Sequence, residues 1–325
     1  MALPLPAFFE PDDVRHVRME RAGLVADAAR AYRDQHGLRP AAEDRVRVAA
    51  FGIDCQIGFA SPGASLFVPG AVEDMQRAIR WLYANLEHIT SLYFSLDTHR
   101  VFQIFHPAFW RDEHGHPPGP FTPIFHEDVR ARRWTPTNEH LYDTCLEYTR
   151  KLEQGGKYVL NIWPYHTLLG GVSHALVPAL MEASIFHAIA RETPTVFETK
   201  GMAELTEMYS VLSPEVTELD DREVGSFNEA LFDALMSHDR IYVFGEAKSH
   251  CVLSTLQDLM AHIEARDATL ADRVFILEDA MSPVPPPPLD PLPAGLDFPR
   301  RADEGLVELA AQGMRIVRTT EEIAL

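Results

Sequence analysis

Cys251 stands in the run GEAKSHCV, between an apolar stretch that reads as a strand and a pattern that reads as a helix. A thiol there can point into a cleft while the helix N-terminus stabilises its thiolate. A free thiol has a pKa of ~8.5 and needs help to attack at neutral pH. A lone cysteine is more often simple packing, so the assignment rests on its company. Asp54 closes the run VRVAAFGID. A carboxylate there can serve as general base for the thiol and then as acid for a leaving amine, although alone it could equally cap a loop. Lys200 lies in ETKG. Its ammonium can lower the thiol pKa and stabilise developing negative charge, although in isolation it reads as a solvated lysine. Gly201 beside it permits a tight turn.

A second group is rich in histidine. Asp97 and His99 form an Asp-x-His pair, His106 follows, and His166 ends NIWPYH. Such a pair after a strand can aim a carboxylate and an imidazole at one ion. A third ligand from a neighbouring strand end leaves positions open for water or substrate. Zinc is the commonest occupant of N/O ligands, and iron or manganese also fits. Most of the 15 histidines must lie on the surface or in supporting roles. His114, His116, His126 and His140 have no motif behind them.

These side chains need elements to hold them. VRVAAFGID, SLYFSLD, YVLNI, TPTVFET, RIYVFG, RVFILED and MRIVR read as strands. Val72, Met75, Ile79, Leu82 and Leu86 keep helical spacing from Ala71, and Leu256, Leu259, Met260 and Ile263 do so after Cys251. Alternating strands and helices predict an α/β three-layer sandwich with a parallel sheet of about six strands flanked by helices. In such sheets function sits beyond the carboxyl ends of the strands, where Asp54, Asp97, Lys200 and Cys251 all fall.

The chain has 325 residues and 36.6 kDa. Residues 1–44 read as a helical arm, with a helix from Asp12 to Gln35, and 45–325 as a single domain. Insertions fall at about 100–155, which suits an active-site wall or lid, and at about 282–295, a proline tract that suits a stiff surface segment. The charge is −19, from 29 basic and 48 acidic residues. That surplus disfavours nucleic acid and anionic membrane faces as partners. No apolar run approaches the roughly 18 residues of a membrane span. Three cysteines do not make a disulfide framework, and the N-terminus is a poor secretory signal. A cytoplasmic protein is the expectation.

AFGIDCQIGFASPGASLFVPGA, SLDTHRVFQIFHPAFW, WPYHTLLGG, ETKG and GEAKSHCV together resemble the isochorismatase-like cysteine hydrolases, and among them the nicotinamidase branch. The likeness runs from about residue 46 to 320 and leaves out the arm and the proline tract. It implies a six-stranded parallel α/β fold and a catalytic triad of Asp54, Lys200 and Cys251. It implies a divalent metal on Asp97, His99 and His166, with His106 replacing or joining them. It further implies a cis peptide at Glu246–Ala247, an oxyanion hole from the amides of Ala247 and Cys251, and a substrate pocket lined by Phe59 and Trp163. Gly58, Cys55 and Lys248 depart from the family's usual residues, and the 100–155 insertion is longer than in compact members. The resulting expectation is a metal-containing cysteine hydrolase, a homo-oligomer by family habit, that cleaves nicotinamide or a similar small carboxamide. The alternatives are the same chemistry on another amide, carbamoyl or ureide compound, and a non-catalytic metal- or ligand-binding protein.

Overall fold

The computed structural model describes residues 2–155, 157–286, 290–292, 294–323 and 325. Six parallel strands form the central sheet: β1 (Val48–Ile53), β2 (Ser91–Asp97), β3 (Val196–Lys200), β4 (Arg240–Gly245), β5 (Val274–Leu277) and β6 (Arg315–Val317). Their order across the sheet is β6-β5-β4-β1-β2-β3. β1 sits in the middle and every residue of it is buried, as a strand covered on both faces requires. Order reverses between β1 and β4, so the crevice beyond their carboxyl ends is the natural place for a ligand.

The helices are α1 (Ala22–His36), α2 (Ala71–Ala84), α3 (Tyr142–Gly155), α4 (Pro178–Ala190), α5 (Glu229–Met236), α6 (Leu253–Arg266) and α7 (Phe298–Ala311), of which α3 packs within the insertion. α2 and α4 pack together, as do α6 and α7. Right-handed crossovers running in opposite directions from β1 put these pairs on opposite faces. α2 follows its predicted spacing, with Val72, Met75, Ile79 and Leu82 buried.

Two expectations change. YVLNI is not a strand of the sheet, because β3 already takes the place beside β2. Leu160–Asn161 pairs instead with Pro123–Ile124 of the insertion, antiparallel. The helix expected over Asp12–Gln35 is interrupted: Pro11–Arg15 is one 3-10 turn, and α1 begins only at Ala22. Between them Arg18 and Arg21 reach Glu182 of α4, which is buried. α1 itself lies along α4 of the same chain. No helix among the described residues is long and apolar enough to cross a membrane.

Candidate active site

β1 delivers Asp54, which is fully buried and has a φ of 48°. The Ser95 hydroxyl of β2 donates to Asp54 Oδ1 at 2.6 Å, and the Asp54 amide donates back to Ser95 Oγ at 3.0 Å. β3 delivers Lys200 opposite Asp97 in register. Lys200 Nζ lies 2.9 Å from Asp54 Oδ2 and 2.8 Å from Asp97 Oδ1, and donates to the Met208 carbonyl at 3.0 Å. Its fourth neighbour, at 3.6 Å, is Cys251 Sγ. The three residues expected to act together are therefore brought together.

Cys251 lies in a π-helical turn, Lys248–Val252, which runs directly into α6. The Glu246–Ala247 peptide is cis, as expected. Ala247 and Cys251 line one cavity. Phe59, Trp163, His166, Lys200 and Glu207 line it too.

The electrostatics refine one expectation. Burial pushes the Cys251 thiol up, and the Asp54 and Asp97 carboxylates add to that against the opposing pull of Lys200. The resting sulfur is a thiol. Burial also raises Asp54, although Lys200 opposes it, so Asp54 is a competent proton acceptor. Lys200 stays charged: burial alone would lower it, but Asp54 and Asp97 outweigh burial.

Ligand atoms of Asp97, His99 and His166 lie within 4.8 Å of one another, all buried. His99 Nδ1 lies 3.0 Å from the Gly201 carbonyl and His166 Nδ1 2.7 Å from the Pro164 carbonyl. A carbonyl only accepts, so both Nδ1 atoms carry the proton and both Nε2 atoms present lone pairs. Those lone pairs face Asp97 Oδ2 at 2.7 and 3.4 Å. Three acceptors converging in a buried site suit a divalent cation, and the residues fit one. Asp97, His99 and His166 would hold it, and it would supply Lewis acidity and a point for orienting substrate. His106 is a neighbour of this set. Burial lowers its pKa to about 3, and its buried Nε2 has no partner among the described residues. Its ring centroid is 5.7 Å from His99 and 6.0 Å from His166.

The supports are local. Gln56 Nε2 donates to the Asp97 and His174 carbonyls, and the Asp97 amide donates to Gln56 Oε1. Gly201 has φ 80°, and a Cβ there would come within 2.8 Å of Asp97 Oδ1 and of His99, so only glycine fits. Phe59 stands edge-on to His166 at 5.4 Å. Trp163 Nε1 donates to Glu207 Oε1 and Tyr209 Oη, each at 3.0 Å.

Three wall residues escaped the sequence reading. Glu207 is buried, and burial pushes its pKa up to about 8. Tyr209 donates to Glu207 Oε1 at 2.5 Å. His250 packs between the Tyr158, Trp163 and Phe298 rings. Adjacency to Cys251 was a signal for His250; the other two lie in a loop without periodicity. The proline tract also contributes. Val284 lines the cavity, and its amide donates to Ser249 Oγ at 3.0 Å, so the tract's start is a wall and not only surface. Residues 287–289 and 293 of that tract lie outside the described residues.

No family model matches the chain, and no curated protein matches it. Solved structures do. An Acinetobacter baumanii nicotinamidase/pyrazinamidase is similar at 17% identity and TM-score 0.52, over 86% of this chain and 98% of that one. The yeast nicotinamidase Pnc1p, bound to the inhibitor nicotinaldehyde, is similar at 18% identity and TM-score 0.52, over 83% of this chain and 99% of that one. A strand order, a crevice and a length of chain thus agree with one architecture, and the fold of this chain is the isochorismatase-like α/β hydrolase fold found in the nicotinamidases.

Proposed function

We infer that this chain is a cysteine amidohydrolase that cleaves nicotinamide or a similar small carboxamide to the acid and ammonia. The observation that carries this is the convergence of Asp54, Lys200 and Cys251 beside the Asp97, His99 and His166 cluster in one cavity. Asp54 takes the Cys251 proton as sulfur attacks the carbonyl carbon. Lys200 stays charged beside both and offsets the negative charge that develops. The amides of Ala247 and Cys251 receive the oxyanion. Asp54 returns its proton to the nitrogen, the C–N bond breaks, and ammonia leaves a thioester. Water, its proton taken by Asp54, then hydrolyses the thioester and restores the thiol. Phe59 and Trp163 flank the substrate ring. Zinc is the metal the donor set suits best.

Residues 45–325 form the hydrolase domain in this reading, with insertions at about 100–155 and 282–295, and residues 1–44 are an arm. α1 of that arm packs on α4 of the domain.

The test is ammonia release from a panel that includes nicotinamide, pyrazinamide, a carbamoyl amine and a ureide. Turnover of nicotinamide is expected, with its loss in Cys251→Ala at unchanged far-UV circular dichroism. Rapid turnover of another panel member with none of nicotinamide would move the substrate assignment. Ligand binding without any turnover would sink the enzyme reading.

A further inference from the structure

Glu246 sits one residue before the Ala247 amide and is fully buried. A carboxyl in that place needs a partner, since desolvation without one is costly. It meets Asp74 of α2, itself buried, side chain to side chain. Arg77 donates to Asp74 Oδ1 at 2.5 Å, and the Ser282 amide donates to Glu246 Oε2 at 3.3 Å. The Ser282 hydroxyl also supports the Asp74 carboxyl, yet Asp74 Oδ2 and Glu246 Oε1 have no hydrogen-bond partner among the described residues. Two bare acceptors in a dry site repel, whereas one proton between them makes a hydrogen bond.

The charge count agrees. Arg77 balances one carboxylate of the pair, and no second cation among the described residues reaches it. Lys248, in the same turn, is paired with Asp303. Asp279 gives its carbonyl to Arg77 Nε, and its carboxylate is held by Thr319. Cys55, after β1, is kept a neutral thiol by burial, with Glu246 and Asp54 adding to that. Burial raises Glu246 well above the usual carboxylate range, and Asp74 raises it further.

We propose that Glu246 and Asp74 share one proton, and that this pair ties the turn carrying the Ala247 amide to the first turn of α2. Glu246 is then a positioning residue for the oxyanion-binding amide. The catalytic half of this inference rests on the amidase reading above; the shared proton does not. The sign of the pH effect follows. A carboxyl whose folded pKa is raised contributes stability that is full below its unfolded value and lost as pH rises through the folded value. In the ionised pair two carboxylates face each other and the turn is released from α2.

The experiment compares the wild type with Glu246→Gln and Asp74→Asn by thermal unfolding from about pH 5 to 10. Each amide can donate to the remaining carboxylate without a titrating proton. Both variants should therefore lose less Tm than the wild type as pH rises. Curves that keep the wild-type slope in both variants would overturn the shared proton, and if one variant fails to fold the other carries the comparison. On the amide that the panel identifies, Glu246→Gln should flatten the alkaline fall of kcat. Glu246→Ala should lower kcat roughly tenfold with a smaller change in KM, since a misplaced oxyanion donor acts on the transition state. Altered Tm slopes with an unchanged kcat profile would leave the pair but overturn its positioning role. A chain that turns over no amide defeats the amidase reading, and the Tm comparison still decides the proton.

Discussion

Among the described residues, Lys200 carries the only cationic nitrogen that touches both buried carboxylates of the site, Asp54 and Asp97. Remove it and two negative charges remain in a dry cluster. Lys200→Ala should therefore cost about 3–5 kcal/mol of stability as well as all turnover, a loss that urea unfolding would read. Arginine should not rescue it, because a planar fork cannot replace a point charge packed against four groups. Glu207 makes a second residue-level prediction. Its raised pKa, about 8, gives stability that is full below the ordinary carboxylate value and lost as pH climbs to about 8. Glu207→Gln should flatten the fall of Tm across that window, and an unchanged curve would mean that the group ionises freely. Most of the site was legible in the sequence because its chemistry uses few residue types at strand ends. Glu207 and Tyr209 were not, since they lie in an irregular loop and burial, not spacing, gives them their character.

At the level of elements, the arm is held both by buried apolar side chains, Phe9, Val14, Val25 and Ala29 among them, and by polar contacts. Arg18 and Arg21 both reach Glu182, which burial would raise but the two guanidiniums bring down to about 2. The depressed pKa gives stability that is present above the ordinary carboxylate value and lost as pH falls through about 2. Replacing both arginines by alanine leaves Glu182 buried and unpaired. That variant should lose about 3 kcal/mol, with α1 gaining hydrogen exchange first. Equal exchange in both proteins would assign the arm's hold to Val14, Val25 and Ala29 instead. The same contacts explain why the helix over residues 12–35 was over-read: its apolar spacing was adequate, and a distant carboxylate broke it. YVLNI was over-read for a related reason. A short apolar run pairs with whatever edge is free, and pairing partners are not written in the run itself.

For the whole molecule, the alternation of strands and helices was enough to give the layers, because periodicity and handed crossovers leave few arrangements. The strand order was not legible, since it depends on which edge each crossover returns to. That order has a consequence for how the protein is made. β1 is complete only when β4 lies beside it, in the register Val48↔Arg240. During synthesis the apolar β1 and β2 emerge long before their central partner, and the two halves of the crevice exist on a nascent chain that cannot yet close it. Chains stalled or truncated before residue 240 should stay bound to holdase chaperones or aggregate, whereas release past β4 should allow collapse; ribosome-stalled lengths probed by limited proteolysis would show the step. The order in which the ribosome delivers the strands thus keeps the nucleophile and its base apart until four of the six strands of the sheet are present.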